Sequence, residues 1–147
     1  MAGELNGLGE PGLILSPPSR GTVEDDGYLA ASEVAQLKLN ADWVVLSACN
    51  TAASDGATGA EGLSGLSKAF FYAGARSLLV SHWRVSSLAT VPLTTVMLKE
   101  YKAAPGQGKA EAQRKSMLSL MNTPGHPEYA HPFFWAPFVV VGEGGAR

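Results

Sequence analysis

A chain of 147 residues, of which 46% are hydrophobic and 16% charged, fits one domain with its own core and excludes a disordered protein. The net charge is −2 without a cluster of lysine or arginine, so the basic surface of a nucleic-acid-binding protein is missing. One cysteine excludes an internal disulfide, and the lack of a signal peptide and of a membrane-length apolar run predicts a cytoplasmic protein.

The first third of the chain predicts two short strands and a short helix. Leu13 to Leu15 is an apolar segment that two prolines end, which indicates a strand. The turn signal Asp25-Asp26-Gly27 precedes a second short strand at Tyr28-Leu29. Residues 31–37 then predict one or two helical turns, with Ser32 as a candidate cap.

A strand, a helix and a second strand follow in the centre of the chain. The apolar run from Trp43 to Ala48 predicts a buried strand, and apolar spacings of three and four then predict a helix that Gly74 ends. Residues 77–81 predict a second buried strand. Such a unit places its two strands parallel, so we expect Cys49 and His82-Trp83 at the same edge of the sheet.

The last third predicts two helices and a final strand. Thr90 is expected to cap the first helix, which leaves Pro92 in its first turn. The second helix is expected over residues 109–121, and its predicted apolar face consists of Ala110, Met117, Leu118 and Met121. Residues 138–142 predict the last strand, and the five residues after it are expected to fray. The predicted fold class is α/β.

Cys49 stands where the apolar run of residues 43–48 gives way to small polar residues. A free cysteine is usually a small buried hydrophobe, and that interpretation stays open on the residues alone. In open α/β sheets, however, binding and catalysis occur beyond the carboxyl ends of the strands. Cys49 is therefore also placed to be a nucleophile, provided that a base or a positive environment activates its thiol.

Three segments of the sequence resemble the CHAT domain, a caspase-like cysteine-peptidase family often fused to tetratricopeptide repeats. They are VVLSACNTA, LSGLSKAFFYAGARSLLVSHWRV and HPFFWAPFVVVG, and the resemblance runs from about Leu13 to Gly142. It implies a caspase-hemoglobinase-like, mainly parallel sheet flanked by helices, and proteolysis by a Cys-His dyad with Cys49 as nucleophile. The dyad histidine of the family lies on an earlier strand. The resemblance therefore implies a partial domain over residues 1–147, with the histidine and the first strands upstream of Met1.

The same resemblance implies that the strand end at His82 lines the substrate cleft, with Trp83 as a stacking surface. A substitute general base and a packed structural histidine are the alternative roles of His82. Some relatives cleave after basic residues, which would need an acid in the pocket. The candidates for that acid are Asp25, Asp26, Asp55 and Glu61, each of which could equally be solvated. No metal or other cofactor is expected, since no third ligand at metal spacing joins Asp55 and Glu61.

Two classes of function remain open on the sequence. One is a cysteine endopeptidase domain that is inactive without its histidine, and the other is a non-catalytic interaction or regulatory module. The expected partners are a peptide or protein substrate and a tetratricopeptide-repeat region in the parent protein, but neither nucleic acid nor a membrane. Without its neighbouring strand, the strand of residues 43–48 would expose an apolar edge. This edge predicts a homo-oligomer, unless the segment around Leu13 to Leu15 shields it.

Overall fold

The structure is a computed structural model that describes residues 2–3, 10–15, 22, 26–47 and 65–146. The strands in these ranges are β1 (Ala2–Gly3), β2 (Gly12–Ile14), β3 (Tyr28–Ala30), β4 (Val44–Val45), β5 (Ser77–Ser81) and β6 (Phe138–Gly142). The α-helices are α1 (Ala31–Gln36), α2 (Gly65–Tyr72), α3 (Ser87–Ala103) and α4 (Lys109–Met121). Short 3-10 helices lie at Pro105–Gln107, Pro127–Ala130 and Pro132–Phe134.

A three-stranded sheet in the order β4–β5–β6 forms the central layer. β4 is parallel to β5, with Val45 opposite Leu79, whereas β6 is antiparallel to β5. The N–H of Leu46 donates to the carbonyl oxygen of Leu79 at 2.8 Å, which extends the contact by one residue. The predicted strand–helix–strand unit is confirmed, but the described part of the expected strand at residues 43–48 is strand only at β4.

β1, β2 and β3 form a separate antiparallel sheet. The short strands predicted near Leu13 and Tyr28 are confirmed as β2 and β3. Asp26 closes the turn before β3, because its Oδ1 accepts a hydrogen bond from the N–H of Tyr28 at 2.8 Å. Among the described strands one pair is parallel and three are antiparallel, so the mainly parallel sheet that the family resemblance implies is not confirmed.

The two faces of β5 belong to two different hydrophobic cores. Leu78 and Val80 pack in a core with α1 and α2, whereas Leu79 packs in a core with α3 and α4. Alternate residues of a strand point to opposite faces of the sheet, and β5 is buried over its whole length. The central sheet therefore lies between two helical layers, and the predicted α/β fold class is confirmed.

Of two predicted helix ends, the cap of α1 is wrong and the end of α2 is confirmed. The prediction that Ser32 caps α1 is wrong, because Ala30 occupies the cap position and its N–H donates to Glu33 Oε2 at 2.8 Å. Ser32 instead donates its hydroxyl to Glu10 Oε1 at 2.6 Å. Gly74 follows α2 as predicted, with a φ of 97° that favours glycine.

α3 begins earlier than the sequence predicts. Its first residue is Ser87, so Thr90 lies inside the helix, where its Oγ1 donates to the carbonyl oxygen of Ser86 at 2.8 Å. Pro92 lies in the helix interior rather than in the first turn. A proline there removes one backbone hydrogen bond, and the complete burial of Ala89 in the first turn helps to offset that loss.

α4 spans the predicted residues but buries a different face. Ala110 and Leu118 of the predicted apolar face are exposed, and its two methionines are half-buried. The buried residues are Lys109, Ala112, Gln113, Ser116 and Leu120. Gln113 donates to the carbonyl oxygen of Phe138, and Ser116 donates to a carbonyl oxygen of α3. The apolar residues of α4 predict the wrong buried face, because the polar residues that are buried instead form hydrogen bonds with neighbouring elements.

The residues that follow β6 are held in place, so the prediction that they fray is wrong for the first two of them. The N–H of Glu143 donates to the carbonyl oxygen of Arg76 at 3.1 Å, and the Glu143 carboxylate pairs with the Arg76 guanidinium at 2.8 Å. The carbonyl oxygen of Gly144 accepts from the N–H of Ala110 at 2.9 Å. This segment thus joins the starts of β5 and α4.

Candidate functional site

The carboxyl ends of β4 and β5 lie at the same edge of the central sheet, because the two strands are parallel. Ser47 is the second residue after β4, and His82 directly follows β5. We call this the cleft edge. It is the edge at which α/β proteins place their ligands, and it is where the sequence places its candidate residues.

Several predicted site residues lie outside the described residues. They are Cys49, Asp25, Asp55 and Glu61. Asp26 is described, and it lies on the separate antiparallel sheet, where its exposed carboxylate accepts the hydrogen bond from Tyr28. This contact gives Asp26 a role in a turn, and its role in a substrate pocket stays a prediction.

His82 and Trp83 both reach solvent at the cleft edge. His82 is exposed, so it is not a packed core histidine, and its backbone N–H donates to the carbonyl oxygen of Pro137 at 3.0 Å. The Trp83 side chain is 38% exposed, and its Nε1 donates to the carbonyl oxygen of Phe133 at 3.4 Å. These main-chain and ring contacts to the segment before β6 hold both residues at the cleft edge. Their roles in the substrate cleft stay predictions.

A cleft of about 210 Å³ lies at the same edge, between the end of β4 and the start of α3. We call it the α3 cleft, and the described residues that line it are Ser47, Val85, Ser87, Thr90 and Val91. These five residues carry no ionisable side chain. Since the Thr90 hydroxyl already donates to a carbonyl oxygen of its own helix, the two serines supply the remaining hydroxyl donors.

Sequence reasoning missed all five of these α3 cleft residues, and it missed Val85 and Ser87 because it started α3 too late. With Thr90 as a cap, Val85 and Ser87 would belong to a loop, and no reason remained to place them beside Ser47. The signal that could have found the cleft is Ser86, since serine is a preferred cap residue and an apolar helix follows it closely.

The two remaining histidines, His126 and His131, flank the 3-10 helices before β6. His126 stacks on Tyr129 at 4.7 Å between ring centroids, and its Nδ1 lies 2.8 Å from Glu128 Oε1. This hydrogen bond lowers the pKa of the exposed Glu128 carboxyl. His131 accepts a hydrogen bond from the N–H of Phe133. Both rings are therefore engaged in local contacts.

No group of three histidine, cysteine, aspartate or glutamate side chains that could hold a metal ion occurs within the described ranges. In the same part of the chain, no helix has the length and apolar character needed to cross a bilayer.

Comparisons with known proteins give one family and one curated relative. A model of the CHAT domain matches residues 3–143 of the chain. The chain is 30% identical over 118 residues to Tetratricopeptide repeat protein 28 of Mus musculus, and this match covers 78% of the chain. The chain spans only 4% of that protein's length. No solved structure matches the chain.

Proposed function

This chain belongs to the CHAT domain family, and from that premise we propose that it carries the nucleophile of a cysteine endopeptidase domain. Cys49 is the nucleophile, and the longer protein supplies the histidine that acts as general base. In this proposal the central sheet is part of a caspase-hemoglobinase-like sheet, to which the longer protein adds further strands. We also propose a cytoplasmic location, where reducing conditions keep a thiol free.

The observation that supports this proposal most directly is the position of the α3 cleft at the carboxyl ends of two parallel strands. Cys49 follows Ser47 by two residues, and two extended residues span at most about 7 Å. Ser47 lines the α3 cleft, so we propose that the thiol acts beside this cleft. A substrate side chain in the cleft would then bring its peptide bond near the thiol.

The proposed reaction follows the usual course of covalent catalysis by cysteine. The thiolate attacks the carbonyl carbon of the peptide bond, and the amine leaves with a proton from the histidine, which produces a thioester. Water then hydrolyses the thioester and restores the thiol. A general base typically contributes about 10²–10⁴-fold to such a rate, so we expect negligible turnover from the 147 residues alone.

The first experiment uses the longer protein that contains this chain, with a panel of peptide substrates. Cys49→Ala is expected to abolish cleavage while the thermal melting curve stays unchanged. Cys49→Ser is the matched control, because it keeps a hydroxyl of similar size but a far weaker nucleophile. Undiminished cleavage by a folded Cys49→Ala protein would contradict the proposal.

The second experiment uses the 147 residues alone and separates the proposed base from His82. If turnover is detected and disappears in both Cys49→Ala and His82→Ala, His82 is the base and the proposal of an external histidine is wrong. If the longer protein cleaves no peptide and Cys49 reacts with iodoacetamide no faster than a free thiol, the chain is a non-catalytic interaction or regulatory module.

The partners that we propose are a peptide or protein substrate and a tetratricopeptide-repeat region within the longer protein. The name of the mouse relative supports the second partner, since that protein contains such repeats. Deletion of the repeat region from the longer protein is expected to change its cleavage rate or substrate range. An unchanged substrate profile would contradict a functional partnership.

We also propose that the isolated chain self-associates through the edge of β4. Among the described strands, β4 pairs with β5 only, and unpaired strand edges are templates for another chain. Light scattering over a concentration series is expected to show a dimer or larger species. A monodisperse monomer at high micromolar concentration would refute this proposal.

A further inference from the structure

We propose that the α3 cleft binds one uncharged, mainly apolar substrate side chain, next to the peptide bond that Cys49 attacks. This inference rests on the proposed peptidase function and assigns its substrate class. Its occupant is a residue such as valine, leucine, methionine or phenylalanine, rather than an acidic or basic residue.

The volume of the α3 cleft, about 210 Å³, suits a single side chain. An apolar protein cavity of about 150 Å³ holds one benzene molecule, whereas pockets for drug-sized ligands have about 300–1,000 Å³. The cleft is therefore large enough for a leucine or phenylalanine side chain.

The lining of the α3 cleft determines its preference for uncharged groups. Val85 and Val91 contribute apolar surface, and Thr90 has its hydroxyl engaged with the carbonyl oxygen of Ser86. Ser47 and Ser87 offer hydroxyls, which do not compensate the loss of water around a full charge. A charged side chain in this cleft would therefore bind more weakly than an apolar one of similar size.

Three of the described acids lie away from the α3 cleft, each bound to a group of the chain itself. Asp42 pairs with Lys109 beyond the opposite end of β4, and Glu143 pairs with Arg76 beyond the far end of β6. Asp26 is on the separate antiparallel sheet. None of these three carboxylates lines the cleft, so none of them makes it selective for lysine or arginine.

The first test measures which peptide probe alkylates Cys49 in the longer protein that contains this chain. The probes are peptidyl acyloxymethyl ketones with leucine, arginine or aspartate beside the ketone. The Cys49 sulfur attacks the methylene carbon, a C–S bond forms, and the carboxylate leaves with the electron pair of the broken C–O bond, while the thiol proton goes to solvent. Peptide mapping by mass spectrometry then reports the rate at this one cysteine.

The leucine probe is expected to react at least about tenfold faster than the arginine or aspartate probe, which is the discrimination typical of a small apolar pocket. Val91→Asp, at a position 64% exposed, is expected to raise the ratio of the arginine rate to the leucine rate. Leu88→Asp is the matched control, since Leu88 is 80% exposed on the same helix and does not line the cleft. It is expected to leave the ratio unchanged.

A second measurement tests the α3 cleft without any reaction at Cys49. Titration with N-acetyl-leucinamide is expected to shift the NMR methyl signals of Val85 and Val91, and N-acetyl-argininamide is expected to shift them less. If no probe alkylates Cys49 in the longer protein, the peptidase proposal fails, and the methyl shifts still decide what the cleft binds.

Two outcomes would overturn the inference. One is a faster reaction of the arginine or aspartate probe than of the leucine probe at a reactive Cys49. If Asp55→Asn then removes a preference for arginine, Asp55 is the acid of the pocket. The other is a set of methyl shifts that are equal for the leucine and arginine ligands, or larger for arginine.

Discussion

The two edges of the central sheet differ in the exposure of their polar side chains. At the cleft edge, Ser47 and His82 are exposed. At the other edge, the side chain of Lys109 is only 2% exposed, and its Nζ lies 3.3 Å from both Asp42 Oδ2 and the carbonyl oxygen of Glu143. One edge therefore offers polar groups to an outside molecule, whereas the other satisfies them within the fold.

The Lys109 cluster consists of Lys109, Asp42, Tyr101 and Glu143, and it shows how a buried charge is compensated. The ammonium lies 5.5 Å from the centroid of the Tyr101 ring, and the Tyr101 hydroxyl donates to Asp42 Oδ2 at 3.1 Å. Burial of an ion costs several kcal/mol unless a partner and hydrogen bonds offset it. The cluster joins α3, α4, the segment before β4 and the segment after β6, so its polar groups have their partners within the fold.

Replacement of the buried lysine is expected to have the largest effect. Lys109→Ala removes the ion pair and leaves a cavity, while Asp42, at 46% exposed, regains part of its hydration. We expect a loss of about 2–4 kcal/mol in the free energy of unfolding. Urea denaturation followed by circular dichroism measures it.

Two controls separate the charge from the side-chain stem. Lys109→Met keeps an apolar stem of similar length and should cost less than Lys109→Ala. Lys99→Ala, at an exposed position of α3, should change stability by less than about 0.5 kcal/mol. Equal effects of Lys99→Ala and Lys109→Ala would show that the cluster does not stabilise the fold.

The second-largest loss of stability is expected for a substitution in the backbone at the end of β6, opposite the cleft edge. Gly142 ends β6 with a φ of 90°, and a Cβ there would lie 2.6 Å from the carbonyl oxygen of Arg76. Gly142→Ala is expected to cost about 1–3 kcal/mol, because a left-handed conformation and a steric overlap coincide. Gly145→Ala is the matched control, since nothing lies within 4 Å of a Cβ at that residue. A melting temperature equally lowered by both variants would contradict this explanation.

A third and smaller effect is expected at the cleft edge. His82→Ala should change the free energy of unfolding by less than about 0.5 kcal/mol, because the side chain is exposed. The same variant should alter the reaction rates of peptide probes at Cys49 if His82 lines the substrate cleft. A loss above about 1 kcal/mol would instead make His82 a structural residue and weaken the contrast between the two edges.

The smallest effect is a pH dependence on the exposed face of α4. The hydrogen bond from Arg114 lowers the pKa of the Glu111 carboxyl below its ordinary value. Because the pKa of Glu111 is lowered in the folded state, the contribution of its carboxylate to stability is present above the unfolded pKa. This contribution is lost as pH falls through the folded pKa. Arg114→Ala should therefore raise the pKa of Glu111, measured by NMR titration, and Arg114→Lys should restore part of the shift. An unchanged pKa in Arg114→Ala would contradict the assigned cause.

The sequence by itself determined the elements whose own residues carry the signal. β5, α4 and β6 have the predicted bounds, since continuous apolar runs and helical patterns end at recognisable residues such as Gly142. The parallel pairing of β4 and β5 also followed from the chain order, because a strand–helix–strand connection leaves few alternatives. The cleft edge could therefore be located without a structure.

Only the tertiary structure decided which polar residues are buried and where α3 begins. Lys109 and Gln113 look like surface residues in the sequence, and their partners Asp42 and Phe138 lie far away along the chain. The first turn of α3 is stabilised by burial of Ala89 against other elements, and with it the α3 cleft takes its shape. Burial of a polar group depends on whether a distant element brings a partner to it, and no local pattern contains that information.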